Sequence, residues 1–546
     1  MVDCMLIGFN DYDFDSYVNM VAAGGLETGA YQDVRLAFVH HNGRRYRALD
    51  LLSELADAAA VPPHGFHNSD FMWPVITYLG SFLARRGFAF DYVNLFQLEK
   101  DRLRERLTSG EVGSVAITTT LYVSPHPIIE IVDFVRACAP HVPIIVGGPY
   151  ITNLEAHGKA IMNRSLSALG VDIAVVDREG ELALTRVLSA LRAGSDLRAI
   201  DNLVIRAGEE WVHTPRAPES NGLTENMVDY TLFQAAAFNE FATTRTAKSC
   251  PFSCSFCGFP KRAGRYTYMD LSCVERELDH LAEIGPVNTI TFIDDTFNVP
   301  KNRFRDIMRL MIEKGYGFRW NSYYRSDHGD RETIELMAAA GCEGVFLGIE
   351  SGSDDQLKRM NKTARRADYL SALRSFRDVG ISTYASLIIG FPGETDATVG
   401  ETISLLDEGR PDFFRAQLWY ADPVTPIWSK REEYGIRGGG FSWEHDTMTA
   451  KEACRHIERI FMTVDDPIWM PQFGFEQWST FYLQRKGMPM RQIKEYLQSF
   501  NAAIREQLSD PGRSEIGEEL LARLKAAAAF PLPAAVRDQA AAHVAR

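Results

Sequence analysis

Apolar and polar positions follow two rhythms along most of this chain, and the switches between them predict its elements. Short apolar runs bounded by turn formers read as buried strands, and apolar residues recurring every three or four positions read as helices. MLIGF (5–9) predicts a short strand, but residues 10–65 are polar and aromatic with little periodicity. A regular series begins at Phe66. Helices are predicted over 74–86, 100–108, 128–139 and 179–194, and strands over 90–96, 114–120, 142–148 and 171–177. Repeated strand–helix units imply an α/β region with a parallel, doubly wound sheet of Rossmann type. NLVIRAGEEWVHT (202–214) reads as a hairpin within a connector, and Pro, Asn and Gly then break the pattern.

A second series starts near Ala242. Its strands are expected at 289–295, 318–325, 344–351, 382–391 and 414–421, with helices at 270–284, 301–315, 331–340, 364–379 and 395–408. About six such units predict a partial or full (β/α) barrel with its site at the C-terminal ends of the strands. Beyond residue 422 the chain turns mainly helical, over 448–464, 489–507 and the Ala-rich 513–546. The expected organisation is a Rossmann-like region over 1–200, in which 1–65 is an extension of unassigned role. A connector over 201–241, a barrel over 242–421 and a helical cap over 422–546 follow.

An apolar fraction of 46% in 546 residues supports a sizeable core. A net charge of −14 argues against a nucleic-acid partner, which needs clustered Lys and Arg. The opening MVDCMLIGFND lacks the cationic start of a secretory leader, and no uncharged apolar run reaches membrane-spanning length. A cytoplasmic protein without a membrane partner is expected. The eight cysteines then read as thiols or metal ligands and not as a disulfide framework.

Three of them carry chemistry. SCPFSCSFCG (249–258) spaces Cys250, Cys254 and Cys257 as Cys-x3-Cys-x2-Cys. So short a loop suits three corners of an iron–sulfur cube, leaving one iron open for a ligand. Zinc prefers four ligands, usually in separated pairs, and no fourth ligand lies nearby in sequence. Phe256, just before the third cysteine, is placed to shield the cluster. Cys4, Cys138, Cys273, Cys342 and Cys454 read as ordinary buried residues.

The motif resembles that of the radical S-adenosylmethionine (SAM) superfamily, and the resemblance runs from about Ala242 to Tyr420. It implies a (β/α)6 partial barrel with a [4Fe–4S] cluster on those three cysteines. FIDDTF (292–297) resembles the segment that meets the SAM amino group, which points to Asp294 and Asp295. Arg325 in NSYYRSD sits where a basic residue meets the SAM carboxylate. GIES (348–351) resembles the ribose-contacting strand and points to Glu350. GFPGET (390–395) resembles the adenine-side turn, with Ser386, Gly390 and Pro392 as candidates. Taken singly, an Asp pair is often a helix cap and a Gly-Pro-Gly run often only a turn.

The upstream region resembles the cobalamin-binding domain that precedes many radical SAM barrels. SVAITTTLYVSP (114–125), VPIIVGGPYITN (142–153) and VVDREGE (175–181) carry the likeness, with Tyr150 and Arg178 departing from the usual His and Gly. The implied cobalamin contacts are Thr118, Thr119, Thr120, Leu121, Tyr122 and Ser124, then Gly147, Gly148, Thr152, Glu179 and Gly180. The D-x-H-x-x-G sequence that supplies a cobalt histidine is absent, so Leu121 or Tyr122 would line the cobalt's lower face. A bare Rossmann-like interaction domain is the bland alternative.

Together the two resemblances imply a class B radical SAM methyltransferase using SAM and cobalamin, carried as methylcobalamin, on an unactivated centre. MVDCMLIGFND, DTMTAKEAC and FYLQRKGM further resemble phosphinate P-methyltransferases of phosphinothricin-type antibiotic pathways and their natural-product relatives. The acceptor is then an H-phosphinate, or a carbon of an amino acid or peptide. Arg415, Tyr420 and Trp443 are candidate acceptor contacts, and a reducing protein such as flavodoxin or ferredoxin is the expected partner. The rivals are a cobalamin-containing rearrangement or cyclisation enzyme and a non-catalytic cobalamin or metal sensor. A methylthiotransferase would need three further N-terminal cysteines, and only Cys4 and Cys138 lie upstream.

Overall fold

The computed structural model describes residues 1–531, which sort into two compact units. The first takes Met1–Phe14, Phe71–Pro251 and Phe259–Thr289. Its strands Phe90–Leu95, Cys4–Phe9, Val115–Thr118, Ile144–Gly147, Ile173–Val175, Leu203–Ala207 and Glu210–His213 are neighbours in that order. The first five pair in parallel, and the predicted hairpin joins the edge antiparallel.

The central strands read as unbroken apolar runs because both sheet faces are covered. Met5, Ile7, Val115, Ile117, Ile144 and Val146 pack in one core with Ile128, Ile131 and Val135 of the helix His126–Cys138. That order is the flavodoxin-like one, whose switch point falls between Cys4–Phe9 and Val115–Thr118. Ligands of such sheets bind outside the carboxyl ends of the strands at that point. The residues leaving the second of these strands are Thr119, Thr120 and Leu121.

The second unit takes Asp15–Asp70, Phe252–Gly258 and the chain from Ile290 onward. Here the strands Thr289–Phe292, Arg319–Tyr324, Cys342–Glu350, Ser382–Ile389, Phe413–Leu418 and Ile468–Trp469 are neighbours in that order. From Arg319 onward each pairing is parallel. Helices Lys301–Lys314, Arg331–Ala339, Arg366–Val379 and Asp396–Gly409 fill the connections. This is the strand–helix alternation of the expected barrel, so its loops gather at the C-terminal strand ends. Phe292 stacks on Phe297 at 4.1 Å, and Trp320 meets both edge-on. That wedge fixes the loop leaving the Thr289–Phe292 strand.

The C-terminal stretch is less purely helical than its pattern predicts. Ile468–Trp469 adds a strand to the main sheet, and residues 437–449 form a small antiparallel sheet. A two- or three-residue strand has no periodicity to read. Helix Glu518–Ala528 falls within the expected terminal helix, and residues 532–546 of that expectation lie outside the described residues. Residues 15–70 add most of the helix Phe14–Ala23, the short helices Gly29–Val34 and Ala48–Leu55, and the hairpin Phe38–His41/Arg44–Arg47 to this unit. No helix among the described residues is long and apolar enough to cross a membrane.

Candidate active site

The three cluster-ligand candidates sit on one short loop, and none of the eight cysteines forms a disulfide. Cys254 is buried, and Cys250 and Cys257 are half-buried. Of the other five, Cys138 alone is only half-buried. Within the second unit the loop is tied down by its backbone. Ser255 N donates to Met360 O at 2.8 Å, Ile427 N to Ser255 O at 2.9 Å, and Asn361 Nδ2 to Ser253 O at 2.9 Å. Among the described residues no three His, Cys, Asp or Glu side chains converge as a single-ion site. A cubane fits this donor set, because each thiolate ligates a different iron and the sulfurs need not meet at one point. Zinc would require that convergence.

Arg325 follows the Arg319–Tyr324 strand and lies with Nη1 4.0 Å from Cys254 Sγ, its guanidinium 3.6 Å over the Phe252 ring. The guanidinium thus lies beside a sulfur expected to ligate the cluster. Asp327 takes the guanidinium at 3.2 and 3.0 Å, and Nη2 also donates to Thr363 at 2.9 Å. Asn298, fully buried, clamps the Arg325 backbone from both sides, accepting from its N–H at 3.0 Å and donating to its carbonyl at 2.8 Å. Asp294 is buried and Asp295 exposed at the end of the preceding strand.

Glu350 ends the central strand with φ +68, a left-handed backbone that costs a non-glycine residue about 1–3 kcal/mol. The sheet register slips between Gly348 and Glu350 to allow it. The carboxylate is buried against Lys362, with Nζ 3.4 Å from Oε1 and 2.6 Å from Gly348 O. Burial works against the Lys362 charge, but Tyr369 and Glu350 outweigh it and hold the ammonium protonated. Ser386 stands beside Gly348 in register, buried on the neighbouring strand.

The turn after the Ser382–Ile389 strand is built from Gly390 to Glu394. Gly390 has φ +92, and a Cβ there would meet the Trp443 ring at 2.4 Å. Its N–H donates to Glu394 and its carbonyl accepts from His445 Nε2 at 3.0 Å, the tautomer consistent with Nδ1 accepting from Thr447 N at 3.3 Å. Gln356 Nε2 holds Phe391 O at 2.9 Å and Pro392 O at 3.4 Å. Phe256 lies 6.5 Å from Phe391, edge to face. The turn thus offers a flat apolar wall beside the cluster loop.

Burial pushes the Glu394 carboxyl up to about 8. A folded-state value above the unfolded one favours the protonated form, so this stabilisation is complete below about pH 4.5 and lost as pH rises through about 8. Glu476, pushed by burial to about 7, acts in the same direction. The second unit is therefore expected to lose a few kcal/mol between about pH 5 and about pH 9, and Glu394→Gln should flatten part of that decline. Urea unfolding at both pH values, followed by tryptophan fluorescence, checks this; an unchanged slope in the variant would contradict it.

The acceptor candidates differ in freedom. Arg415 has no exposed surface, and its guanidinium is engaged by Asp33 at 2.5 Å, by Pro471 O at 3.1 Å and by the Trp469 ring at 4.3 Å. Trp443 is buried, donating to Trp419 O at 2.8 Å and stacking on His445. Tyr420 is 53% exposed, the most open of the three. Asn298, Lys362 and Glu394 were not singled out by sequence. Glu394 lies inside a quoted motif, but the other two act through partners that no spacing reveals.

In the first unit the candidate residues line the carboxyl edge of the sheet. Thr119 Oγ1 donates to Gly147 O at 2.9 Å and accepts from Tyr150 N at 3.2 Å; Thr118 Oγ1 donates to Ile7 O at 3.3 Å. Tyr122 is buried, its hydroxyl accepting from Asn10 N at 2.7 Å. Leu121, with φ +68, is 63% exposed, so of the two lower-face candidates it presents the open side chain. Thr120 and Ser124 are half-buried, and Thr152 Oγ1 donates to Pro149 O at 3.1 Å. Gly180 is left-handed, and the Glu179 carboxylate is turned onto Lys248 at 3.0 Å.

The edge fits the broad face of a flat ring cofactor. Leu121 and neighbouring Val123 are large exposed apolar groups, and Gly148 is a cradle that a Cβ would fill, at 2.9 Å from Thr119 Oγ1 with φ +108. Gly148→Ala is expected to weaken hydroxocobalamin binding about tenfold or more and to lower the thermal midpoint. Equilibrium dialysis with a melting curve reads both, and unchanged affinity would remove this edge from the cobalamin site.

Residues 245–406 match the radical SAM superfamily model. The chain is 27% identical over 331 residues to an uncharacterized methyltransferase of Pyrococcus horikoshii, covering 60% of this chain and 69% of that protein. It is 24% identical over 392 residues to the anaerobic magnesium-protoporphyrin IX monomethyl ester cyclase of Rubrivivax gelatinosus, covering 68% of each. Its fold resembles that of the radical SAM methyltransferase TsrM from Kitasatospora setae, a structure with cobalamin and a [4Fe–4S] cluster bound. The TM-score is 0.56 at 17% identity, over 81% of this chain and 78% of that one. The cysteine loop, the strand-end residues around it and the family match agree: residues 245–406 form a radical SAM domain, with a [4Fe–4S] cluster and SAM as the implied cofactors.

Proposed function

We propose that this protein is a cobalamin-dependent radical SAM methyltransferase acting on an unactivated centre of a small-molecule or peptide natural-product intermediate. The observation that carries the reading is the pairing, in one chain, of the cysteine loop with a flavodoxin-like sheet whose carboxyl edge exposes Leu121 and Val123 beside the Gly148 cradle. The fold likeness to TsrM and the Pyrococcus methyltransferase relative support it.

When bound, the reduced cluster would supply the electron that cleaves SAM, and cobalamin the methyl group for transfer. Everything else falls to the chain. Cys250, Cys254 and Cys257 would hold the cluster. Arg325 would meet the SAM carboxylate, Asp294 and Asp295 the amino group, and Glu350 the ribose, while Phe256, Ser386, Gly390 and Pro392 would frame the adenine side. Thr118 to Ser124, Gly147, Gly148, Thr152 and Gly180 would receive cobalamin. The side chains bind, orient and exclude water, and none need act as a nucleophile. Flavodoxin or ferredoxin would supply electrons in the cytoplasm.

The second reading, rearrangement or cyclisation without methyl transfer, is favoured by the Rubrivivax relative, a cyclase by name. SAM with a deuterated methyl group separates the two. An H-phosphinate amino acid, tryptophan and a tryptophan-containing peptide would be offered as acceptors. Deuterium in an acceptor establishes transfer and tells phosphorus from carbon. An altered acceptor of unchanged methyl count, with 5′-deoxyadenosine formed, would replace the methyltransferase reading with the second.

A further inference from the structure

Both flanks of the cysteine loop are held by the loops at the carboxyl edge of the first unit's sheet. On the upstream side, Lys248 lies two residues before Cys250. Its ammonium donates to Glu179 Oε2 at 3.0 Å and to Asn221 O, and the side chain is only 10% exposed. Glu179 also accepts from Asn221 N at 2.7 Å. Asn221 Nδ2 donates to Glu181 at 2.8 Å and to Glu219 at 2.9 Å. Glu219 in turn caps the helix Glu181–Ala193 through Leu182 N and Ala183 N at 2.8 and 2.6 Å. Lys248 is therefore rooted in the 177–181 loop through a shared network and not a lone surface pair.

On the downstream side, Arg262 lies five residues after Cys257, in the helix Phe259–Ala263. Its Nε donates to Asn153 Oδ1 at 2.9 Å, and Asn153 belongs to the helix that begins at the Gly147–Gly148 turn. The base of the loop is closed by two paired residues on each side, Ala247 with Tyr268 and Lys248 with Thr267, and by Ser249 Oγ donating to Gly264 O at 2.7 Å. Ser249, next to Cys250, is held at φ +65, a conformation that persists only where its surroundings enforce it.

We propose that Glu179, Lys248 and Arg262 are positioning residues that couple the two cofactors, so that ordering of the cobalamin-edge loops orders the flanks of the cluster loop. This rests on the cobalamin reading above. A ligand that stiffens residues 147–153 and 177–181 lowers the cost of holding Lys248 and Arg262, and hence of presenting Cys250 and Cys257 to a cluster. Coupling between two binding equilibria is reciprocal, so the cluster must tighten cobalamin by the same factor that cobalamin tightens the cluster.

The test uses the full chain and reads binding, not turnover. Hydroxocobalamin affinity is measured by anaerobic equilibrium dialysis on cluster-free and cluster-reconstituted protein, with iron and sulfide assayed in each sample. The unaltered protein should bind about fivefold tighter with its cluster than without. Lys248→Met and Arg262→Ala should each shrink that ratio, and Lys248→Arg should restore most of it. A merely structural role would lower cluster content without changing the ratio. Should Lys248→Met load no cluster, Arg262→Ala, which leaves the Lys248 network intact, decides. A ratio of one in the unaltered protein, or an undiminished ratio in Arg262→Ala, overturns the coupling. Absence of any hydroxocobalamin binding would instead sink the cobalamin reading, and the coupling with it.

Discussion

Cys254→Ala is expected to reduce SAM cleavage to the uncatalysed background while the first unit stays folded. Cys254 is the buried member of the triad, and the Arg325 guanidinium lies 4.0 Å from its sulfur. An alanine there removes one of three ligands and leaves that cation facing a methyl group. Two cysteines on a short loop hold a cube poorly, and the open iron that would receive SAM is lost with it. The first unit's sheet and edge loops contain none of residues 252–258. Cobalamin binding should therefore persist, weakened by no more than the coupling factor of about fivefold. Chromatography of 5′-deoxyadenosine after anaerobic incubation, with far-ultraviolet circular dichroism as the folding control, checks both halves. Sustained cleavage by the variant would remove Cys254 from the cluster.

The second large effect is expected from Lys362→Met. Lys362 Nζ meets both Glu350 Oε1 and Gly348 O in a buried position at the end of the central strand. Methionine keeps most of the length of the side chain and removes the charge. Breaking a buried pair from one side costs about 3–5 kcal/mol, because the remaining charge must be neutralised or left uncompensated. Glu350 answers by taking up a proton or swinging away, and either response spoils a carboxylate assigned to the SAM ribose. SAM affinity should drop at least about tenfold and the thermal midpoint should fall, with partial recovery in Lys362→Arg. Calorimetric SAM binding to the reconstituted protein, alongside its melting curve, reads both. A variant with normal affinity would show that the pair stabilises the strand end and nothing more.

What the sequence revealed, and what it hid, follows from the range of the interactions. The cysteine triad was legible because its chemistry depends on spacing within ten consecutive residues. Arg325, Glu350 and Gly390 were named through the family resemblance, and the structure places each at or just after the end of a strand, where a barrel carries its site. Asn298 and Lys362 were not. Asn298 matters only because it brackets the Arg325 backbone, 27 residues away. Lys362 matters because the chain doubles back to Glu350 through the helix Asp354–Arg359. Residues 15–70 resisted reading for the same reason. Their elements are short, and their partners are remote, as with Asp33 on Arg415 and Ala48 O on Tyr496. Arg415, chosen for its charge, proved to be fully buried, a property that its neighbours in sequence do not announce.

The most direct measurement is a paired assay of the reconstituted protein with SAM and a strong reductant, with and without hydroxocobalamin, in the presence of the acceptor panel. Its readout is the amount of 5′-deoxyadenosine and of S-adenosylhomocysteine formed. A cobalamin-dependent radical SAM methyltransferase forms both when cobalamin is present and loses S-adenosylhomocysteine when it is withheld. S-adenosylhomocysteine formation indifferent to cobalamin, or no 5′-deoxyadenosine under either condition, would contradict it.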